Sequence, residues 1–267
     1  MPATEKPRLR LPVAAGLFYE QDAAALRAQC AQLLSAAPPA TGSVPKALIL
    51  PHAGYSYSGR AAAAAIRLTA PARDRLTRVV ALGPSHRMAF FGLAASSVER
   101  FVTPLGTAPI ASETISRALC LPQVRVLDGA HRQEHSLEVL LPLLQTVLPR
   151  FALAPLLVGE AGVDEVAEVW EVLWGGEETL LVCSTDLSHY HDYAAAQTLD
   201  AETSQWIERG AWQKLDARHA CGYAGLRGLL KTAVRHACRI EKVAAYNSGD
   251  VGNRRDKVVG YGSYAIY

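Results

Sequence analysis

Long apolar stretches are missing from this chain of 267 residues. No uninterrupted apolar run is long enough to cross a bilayer, and residues 1–12 lack the apolar core of a secretory signal. The chain also has no internal repeat and no low-complexity segment. These absences exclude a helical membrane protein and predict a cytoplasmic location.

Cysteine is scarce, and its spacing excludes two common arrangements. The five cysteines are an odd number, are widely spaced and contain no CxxC pair. This pattern argues against a disulfide framework and is typical of reduced, intracellular thiols. Four of the cysteines lie in helix-like or strand-like patterns and are interpreted as small core residues: Cys30, Cys120, Cys183 and Cys238.

Concentrated charge and several well-known catalytic motifs are also missing. The net charge is +2, and the basic residues are scattered, which gives no electrostatic case for binding nucleic acid or an anionic membrane. No P-loop, no GxGxxG after a strand, no HExxH and no GxSxG occurs. The common nucleotide-binding, zincin and serine-hydrolase interpretations therefore lose support.

What is present is a set of apolar strand-like segments that alternate with helix-like segments. This order predicts an α/β fold, namely a three-layer α/β/α single domain over residues 1–267 with a mixed, largely parallel central sheet. The alternating C-terminal tail predicts antiparallel strands at one edge. The predicted strands are 47–50, 78–82, 92–96, 152–158, 179–184, 239–246 and 257–266. The predicted helices are 21–36, 60–68, 111–119, 135–148, 163–174, 193–209 and 222–236.

Three apolar strands each run into a histidine soon after they end. His52 follows strand 47–50, His86 follows strand 78–82, and His189 follows strand 179–184. Open α/β folds keep their sites at the carboxyl ends of such strands, so we expect one shared site. Two imidazoles are a common start to a transition-metal site. The alternative interpretation is that each histidine is only a hydrogen-bonded residue at a strand end.

A third metal ligand could be a carboxylate or a thiolate. Asp186, Glu134 and Glu138 are the carboxylate candidates. Cys221 is the thiol candidate because it directly precedes a predicted helix, whose amide dipoles would lower the pKa of the thiol. A structural role for Cys221 remains an equal alternative at this point.

Asp186 and His189 are spaced as a carboxylate and an imidazole that could act together. A carboxylate that binds one ring nitrogen would orient the imidazole for proton transfer at the other nitrogen. Asp186 could equally be a turn-capping residue. His135, between Glu134 and Ser136, could belong to the surroundings of the site or to a helix N-terminus.

Taken together, several segments of the chain resemble the Memo family, whose bacterial and archaeal members are called AmmeMemoRadiSam system protein B. They occur in the family's order over essentially the whole chain, and it is their combination that is specific. The matching segments are Ala15-Gly16-Leu17-Phe18-Tyr19, Pro51-His52-Ala53-Gly54-Tyr55-Ser56-Tyr57-Ser58-Gly59, Leu82-Gly83-Pro84-Ser85-His86, Glu134-His135-Ser136-Leu137-Glu138, Pro155-Leu156-Leu157-Val158-Gly159, Ser184-Thr185-Asp186-Leu187-Ser188-His189-Tyr190 and Cys221-Gly222.

The resemblance implies a fold similar to that of the class III extradiol dioxygenases, which hold non-haem Fe(II). It also implies a pocket with two histidines and a cysteine as metal ligands, which fall on His52, His86 and Cys221. The acid/base histidine of the dioxygenases falls on His189, with Asp186 beside it. The aromatic residues of the family's pocket fall on Phe18 and Tyr57.

The function expected from this resemblance is that of a metal-dependent oxidoreductase with Fe(II) or Cu, or with Zn as a further option. An AMMECR1-like protein and a radical SAM enzyme would be its partners, as the name of the system implies. One alternative is a non-catalytic pocket that binds an anionic or aromatic, peptide-like ligand. The other is a cysteine nucleophile, which requires Cys221 within hydrogen-bond reach of a histidine.

Overall fold

The central feature of the computed structural model, which describes residues 7–40, 42–252 and 254–267, is a large mixed sheet with helices against both faces. The strands are β1 (Leu9–Arg10), β2 (Ala47–Leu50), β3 (Arg78–Pro84), β4 (Leu93–Ala95), β5 (Arg100–Thr103), β6 (Gly106–Pro109), β7 (Val124–Val126), β8 (Ala152–Val158), β9 (Thr179–Ser184), β10 (His189–His191), β11 (Ile240–Asn247) and β12 (Val258–Ile266). The helices are α1 (Ala23–Ala36), α2 (Tyr55–Arg67), α3 (Ser112–Ala118), α4 (Asp128–Arg132), α5 (Leu141–Val147), α6 (Val163–Val172), α7 (Tyr193–Glu208), α8 (Tyr223–Arg235) and α9 (Ser248–Val251).

Four parallel strands form the middle of this sheet, in the order β2, β9, β3, β8. Strand β12 lies antiparallel beside β2, and β10 and β11 both pair with β12. At the other edge, β4 is antiparallel to β8 and parallel to β7. The predicted α/β class, the parallel centre and the antiparallel edge are therefore confirmed. A second, small sheet of β1, β5 and β6 was not predicted.

Both faces of the central strands are buried, as their continuous apolar composition predicts. In β2, Leu48 and Leu50 face one apolar core, which α1, α2 and α5 cover. Ala47 and Ile49 face the other core, which contains side chains of α3, α6, α7 and α8. A sheet that is covered on both sides leaves only its strand ends open for polar side chains.

Helix α2 begins at Tyr55, five residues before the predicted start. The Tyr55 backbone N–H donates to the Phe18 carbonyl at 2.7 Å, and the Ser58 hydroxyl donates to the Ala53 carbonyl at 2.8 Å. These bonds satisfy groups at the start of a helix that would otherwise lack partners. The early start leaves only a short turn between β2 and α2, and this turn carries His52.

The predicted helix 135–148 is wrong in its first half. A 3-10 turn covers Glu138–Leu140, and the α-helix begins only at Leu141. Pro142 lies in the first turn of α5, which is where a helix tolerates the missing N–H and the bulk of the proline ring. His135 therefore lies in an irregular segment before the helix.

A buried ion pair fastens the N-terminal segment to the segment ahead of α5. Arg10 bonds Glu138, and both side chains are almost completely buried. The Glu138 carboxylate also accepts from the Val13 and Ala14 backbone N–H groups and from the Tyr19 hydroxyl, at 2.9, 2.9 and 2.5 Å. This network holds the stretch that includes Phe18 against the rest of the molecule.

The cysteines that were expected in the core differ in their burial. Cys30 and Cys183 are buried as predicted, whereas Cys120 is exposed because it follows the last turn of the short helix α3 at the surface.

In the part of the chain that the structure describes, no helix has the length and apolar character needed to span a bilayer. The expectation about a secretory signal falls partly on residues 1–6, which lie outside the described residues.

Replacement of one member of the buried ion pair is expected to destabilise the fold. The variant Glu138→Gln leaves the Arg10 guanidinium buried without its counter-charge, which costs about 3 kcal/mol in the free energy of unfolding. Urea denaturation followed by circular dichroism measures this loss. The control is Asp256→Asn, which removes a carboxylate from the exposed ion pair with Arg254 and should leave the midpoint unchanged. Equal midpoints for both variants would contradict the role of Glu138.

Candidate metal centre

The carboxyl ends of three neighbouring strands bring the predicted site residues together. His52 follows β2, Asp186 follows β9 and His86 follows β3, and β9 lies between the other two strands. The His52 backbone N–H donates to the Asp186 carboxylate at 2.8 Å, which joins two of these turns. The three strand ends that the sequence indicated therefore lie together at one edge of the sheet.

A cluster of three histidines lies at this edge, and it could hold a metal ion. One ring nitrogen each of His52, His86 and His135 lies within 4.8 Å of the others. The ring centroids are 5.0 Å apart for His86 and His135 and 5.2 Å apart for His52 and His86. Sequence reasoning left the role of His135 open, since it follows no strand. The only available signal was its position between Glu134 and Ser136.

The hydrogen bonds of His52 determine which of its nitrogens can bind a metal. Its Nδ1 lies 2.7 Å from the Ser184 hydroxyl, and that hydroxyl donates its only hydrogen to the Ser136 carbonyl at 2.6 Å. Nδ1 must therefore carry the proton and donate it to Ser184. Nε2 then carries a lone pair, which faces the Cys221 sulfur at 3.5 Å. Burial, with the neighbouring His86 and His135, also lowers the pKa of His52 well below its usual value, so its ring is neutral at pH 7.

In His86, Nε2 also carries a lone pair, because a carboxylate holds the ring proton on Nδ1. The buried Glu134 carboxylate lies 2.9 Å from His86 Nδ1 and also accepts from the His86 backbone N–H at 2.5 Å. Burial alone would raise the pKa of Glu134, but hydrogen bonds from His86 and Ser136 lower it to about 2. An ionised carboxylate can only accept, so Nδ1 of His86 is the donor and Nε2 is free. Carboxylate–histidine pairs of this kind orient metal-binding histidines in many proteins.

Phe18 lies against the third histidine. Its ring centroid is 4.5 Å from that of His135, at an angle of 36°. Burial lowers the pKa of His135, which keeps this ring neutral at pH 7 as well. The segment fastened by Glu138 thus contributes an aromatic wall to the histidine cluster.

Cys221 lies beside His52, with its sulfur 3.5 Å from Nε2. Its thiol differs from the predicted one, because burial and the nearby Asp186 carboxylate raise the pKa of Cys221 to about 12. The expected effect of the α8 amide dipoles is weaker than this desolvation. Without a cation beside it, Cys221 is therefore a neutral thiol. A metal ion would change this, since a coordinating thiol is deprotonated.

His189 is oriented by a backbone carbonyl and not by Asp186 as predicted. Its Nδ1 donates to the Leu187 carbonyl at 2.8 Å, which again leaves Nε2 free. The Asp186 carboxylate instead accepts from the His52 backbone N–H, and burial raises its pKa. The difference arises because the turn after β9 points the carboxylate of Asp186 toward β2. The acid/base roles of the two residues remain predictions.

Tyr57 lies in the wall of a neighbouring groove. Its side chain is 47% exposed, and it shares a groove of about 380 Å³ with Tyr190 and Tyr261. Tyr190 has a positive φ of 63°, a conformation that non-glycine residues adopt rarely. The structure thus brings Phe18 to the histidine cluster and places Tyr57 to one side of it.

The donor set at this edge fits a transition-metal ion. The imidazole nitrogens of His52, His86 and His135 lie close enough together to share one ion. The separation of 3.5 Å between Cys221 Sγ and His52 Nε2 is that of a hydrogen bond from the thiol, and it is also compatible with two donors on one tetrahedral ion. Nitrogen and sulfur donors suit zinc, copper and iron better than magnesium or calcium.

Comparison with known proteins assigns the chain to a family. The family model described as Memo-like protein matches residues 10–265. The chain belongs to the Memo family. A MEMO1 family protein of Aquifex aeolicus is 33% identical over an alignment of 267 positions, which covers 95% of this chain and 97% of that protein. A MEMO1 family protein of Methanothermobacter thermautotrophicus is 30% identical over 273 residues and covers 95% and 98%. A third, of Archaeoglobus fulgidus, is 32% identical and covers 95% and 97%.

For this Memo family chain, we expect Glu134 to set the metal affinity of His86. The variant Glu134→Gln removes the charged acceptor of Nδ1, so the ring loses both its orientation and part of its basicity. Zn²⁺ affinity measured by chelator competition should fall about 10- to 100-fold. Glu160→Gln is the matched control, because Glu160 is exposed beyond the neighbouring strand β8. Equal affinities in the two variants would contradict the role of Glu134.

The raised pKa of Cys221 predicts slow alkylation in the metal-free protein. Thiolates and not thiols react with iodoacetamide, so at pH 8 the exposed Cys120 should react at least about ten times faster than Cys221. A time course of peptide masses measures both rates in one sample. Faster labelling of Cys221 would instead support the lowered pKa that the helix N-terminus predicts, and with it a cysteine nucleophile.

Proposed function

We propose that this Memo family protein is a metal-dependent oxidoreductase that binds Fe(II) or Cu through His52, His86 and Cys221. The observation that carries the proposal is the set of free donor atoms at the edge of the sheet. Nε2 of His52 and Nε2 of His86 both have free lone pairs, and the Cys221 sulfur lies 3.5 Å from the first of them. Three such ligands leave positions on the metal open to other molecules.

The identity of the metal follows from the softness of the donors. A thiolate in place of the dioxygenase carboxylate favours Cu(I) or Zn over Fe(II) and changes the reduction potential of iron. We favour a redox metal, with Zn as the alternative, because the resemblance of the sequence to the Memo family implies a fold similar to that of class III extradiol dioxygenases. When bound, such a metal would supply electron transfer or O₂ chemistry.

The roles of the surrounding residues follow from their contacts. His189, with Nδ1 donating to the Leu187 carbonyl, has Nε2 free to accept a proton from a substrate. Asp186 holds the His52 backbone and thereby positions the first ligand. Phe18 excludes water on the His135 side of the cluster, and Tyr57 borders the approach to it.

The wider setting remains part of the proposal. We propose a single dioxygenase-like domain over residues 1–267 that acts in the cytoplasm with an AMMECR1-like protein and a radical SAM enzyme. The chain belongs to the Memo family. The name AmmeMemoRadiSam system protein B, used for bacterial and archaeal members of that family, joins the three components and motivates this setting.

A second candidate function is a non-catalytic pocket for an anionic or aromatic, peptide-like ligand. The groove of Tyr57 and Tyr190 favours it, because Arg254 and Lys257 also line this groove. Two cations beside exposed tyrosines suit an anionic ligand. In that case ligand binding would persist in protein from which all metal has been removed.

Anaerobic metal loading tests the proposed ligand set. After incubation with Fe(II) or Cu(I) and desalting, the wild-type protein should retain about one ion per chain by elemental analysis. His52→Ala, His86→Ala and Cys221→Ala should each lose most of this metal. The control His236→Ala should retain it, because that histidine stacks on Trp174 at the surface.

The same experiment separates Cys221 from His135 as the third ligand. Retention in His135→Ala together with loss in Cys221→Ala supports the proposal. The opposite result would establish a three-histidine site. Undiminished metal in all of the His52, His86 and Cys221 variants would end the proposal of a metal enzyme.

A further inference from the structure

A large cavity has Cys221 in its wall, and His52 is not part of that wall. Its volume is about 1030 Å³, and its wall contains Cys221, Pro84 and Ser85. Pro84 and Ser85 directly precede His86 in the chain. This cavity therefore borders one proposed metal ligand, Cys221, and the segment that leads to a second, His86. Cavities of this size are typical of sites for small organic molecules.

The wall of this cavity is mainly apolar and partly aromatic. Phe90, Phe91 and Tyr223 contribute rings, and Met88 contributes a thioether. Rings and thioether sulfurs make favourable edge and offset contacts with an aromatic guest.

Exposed apolar side chains gather at the mouth of the cavity. Phe91 is 74% exposed, Val126 is 46% exposed and Met88 is 39% exposed, and all three belong to the cavity wall. Gathering large apolar side chains in water at one place is unfavourable unless something covers them. An apolar occupant of the cavity would cover all three.

The charges of the cavity wall oppose each other. Arg125 and Glu160 are its two charged residues, and both are exposed. An anion would be attracted by Arg125 and repelled by Glu160. A cation would be attracted by Glu160 and repelled by Arg125. The wall therefore selects for an uncharged molecule.

A glycine keeps the aromatic wall in place. A Cβ atom at Gly159 would lie 2.2 Å from the Phe90 carbonyl oxygen and 2.7 Å from its ring. Only glycine at this position lets the Phe90 backbone and ring lie this close to the end of β8. The cavity wall is thus built by close backbone packing and is more than a gap between loops.

We propose that this cavity binds the substrate of the proposed metal centre and that the substrate is an uncharged aromatic molecule. The inference rests on the proposed function, because it names the class of molecule that would lie beside the proposed ligand Cys221. The neutral bicyclic 2-naphthol is a suitable probe, and 2-naphthoate is its charged counterpart. We expect 2-naphthol to bind at least about five times more tightly than 2-naphthoate.

Filling the mouth of the cavity should block this binding. Ala89 is exposed and belongs to the cavity wall, so Ala89→Trp adds bulk there without disturbing the core. We expect it to lower the affinity for 2-naphthol at least about ten-fold in a fluorescence titration. Ala28→Trp, on the exposed side of α1, is the matched control and should bind like the wild type. Equal affinities in the two variants, or no binding to the wild type, would overturn the inference.

Cobalt separates this inference from the proposed function. Co(II) loaded in place of the native metal gives visible absorption bands that respond to molecules next to the ion. A change in these bands on addition of 2-naphthol supports the inference, and unchanged bands overturn it. Binding of cobalt without binding of 2-naphthol overturns the inference alone. Binding of 2-naphthol without binding of cobalt overturns the proposed function, and with it the role of the cavity as a substrate site.

Discussion

The parallel pairing of β2, β9 and β3 is the constraint on which the candidate site depends. Leu50 of β2 lies opposite Ser184 of β9, and Cys183 of β9 lies opposite Leu82 of β3. Because the three strands run in the same direction and end at nearly the same level, the chain leaves all of them at one edge. His52 and His86 can then approach each other, while both faces of the sheet remain apolar and covered.

Two buried carboxylates, four residues apart, connect this edge to the rest of the fold. Glu134 accepts from the ring and backbone of His86, so its charge serves the site directly. Glu138 accepts from Arg10 and from the backbone near Phe18, so its charge serves the fold. The segment between them carries His135. Helix α5 begins only at Leu141, so this segment is irregular, and it lies close to both networks.

Contacts at the start of α8 place the Cys221 thiol beside the histidine cluster. The Gly222 N–H donates to the Thr185 hydroxyl at 2.8 Å, which holds the start of α8 against the turn after β9. A Cβ atom at Gly222 would lie 2.5 Å from the Ser184 carbonyl oxygen, so only glycine allows this approach. Cys221 is thereby placed between His52 and the large cavity. It therefore contacts a member of the histidine cluster and also forms part of the cavity wall.

The sequence by itself determined the α/β class, the parallel centre, the family and the place of His52 at a strand end, because apolar runs and strand-end motifs are local patterns. It did not determine the role of His135, the partner of His189 or the protonation state of Cys221. These three features depend on burial and on groups distant in the chain, such as the Asp186 carboxylate near Cys221. Desolvation and hydrogen bonding arise only when these segments pack together, and for that reason only the tertiary structure decided them.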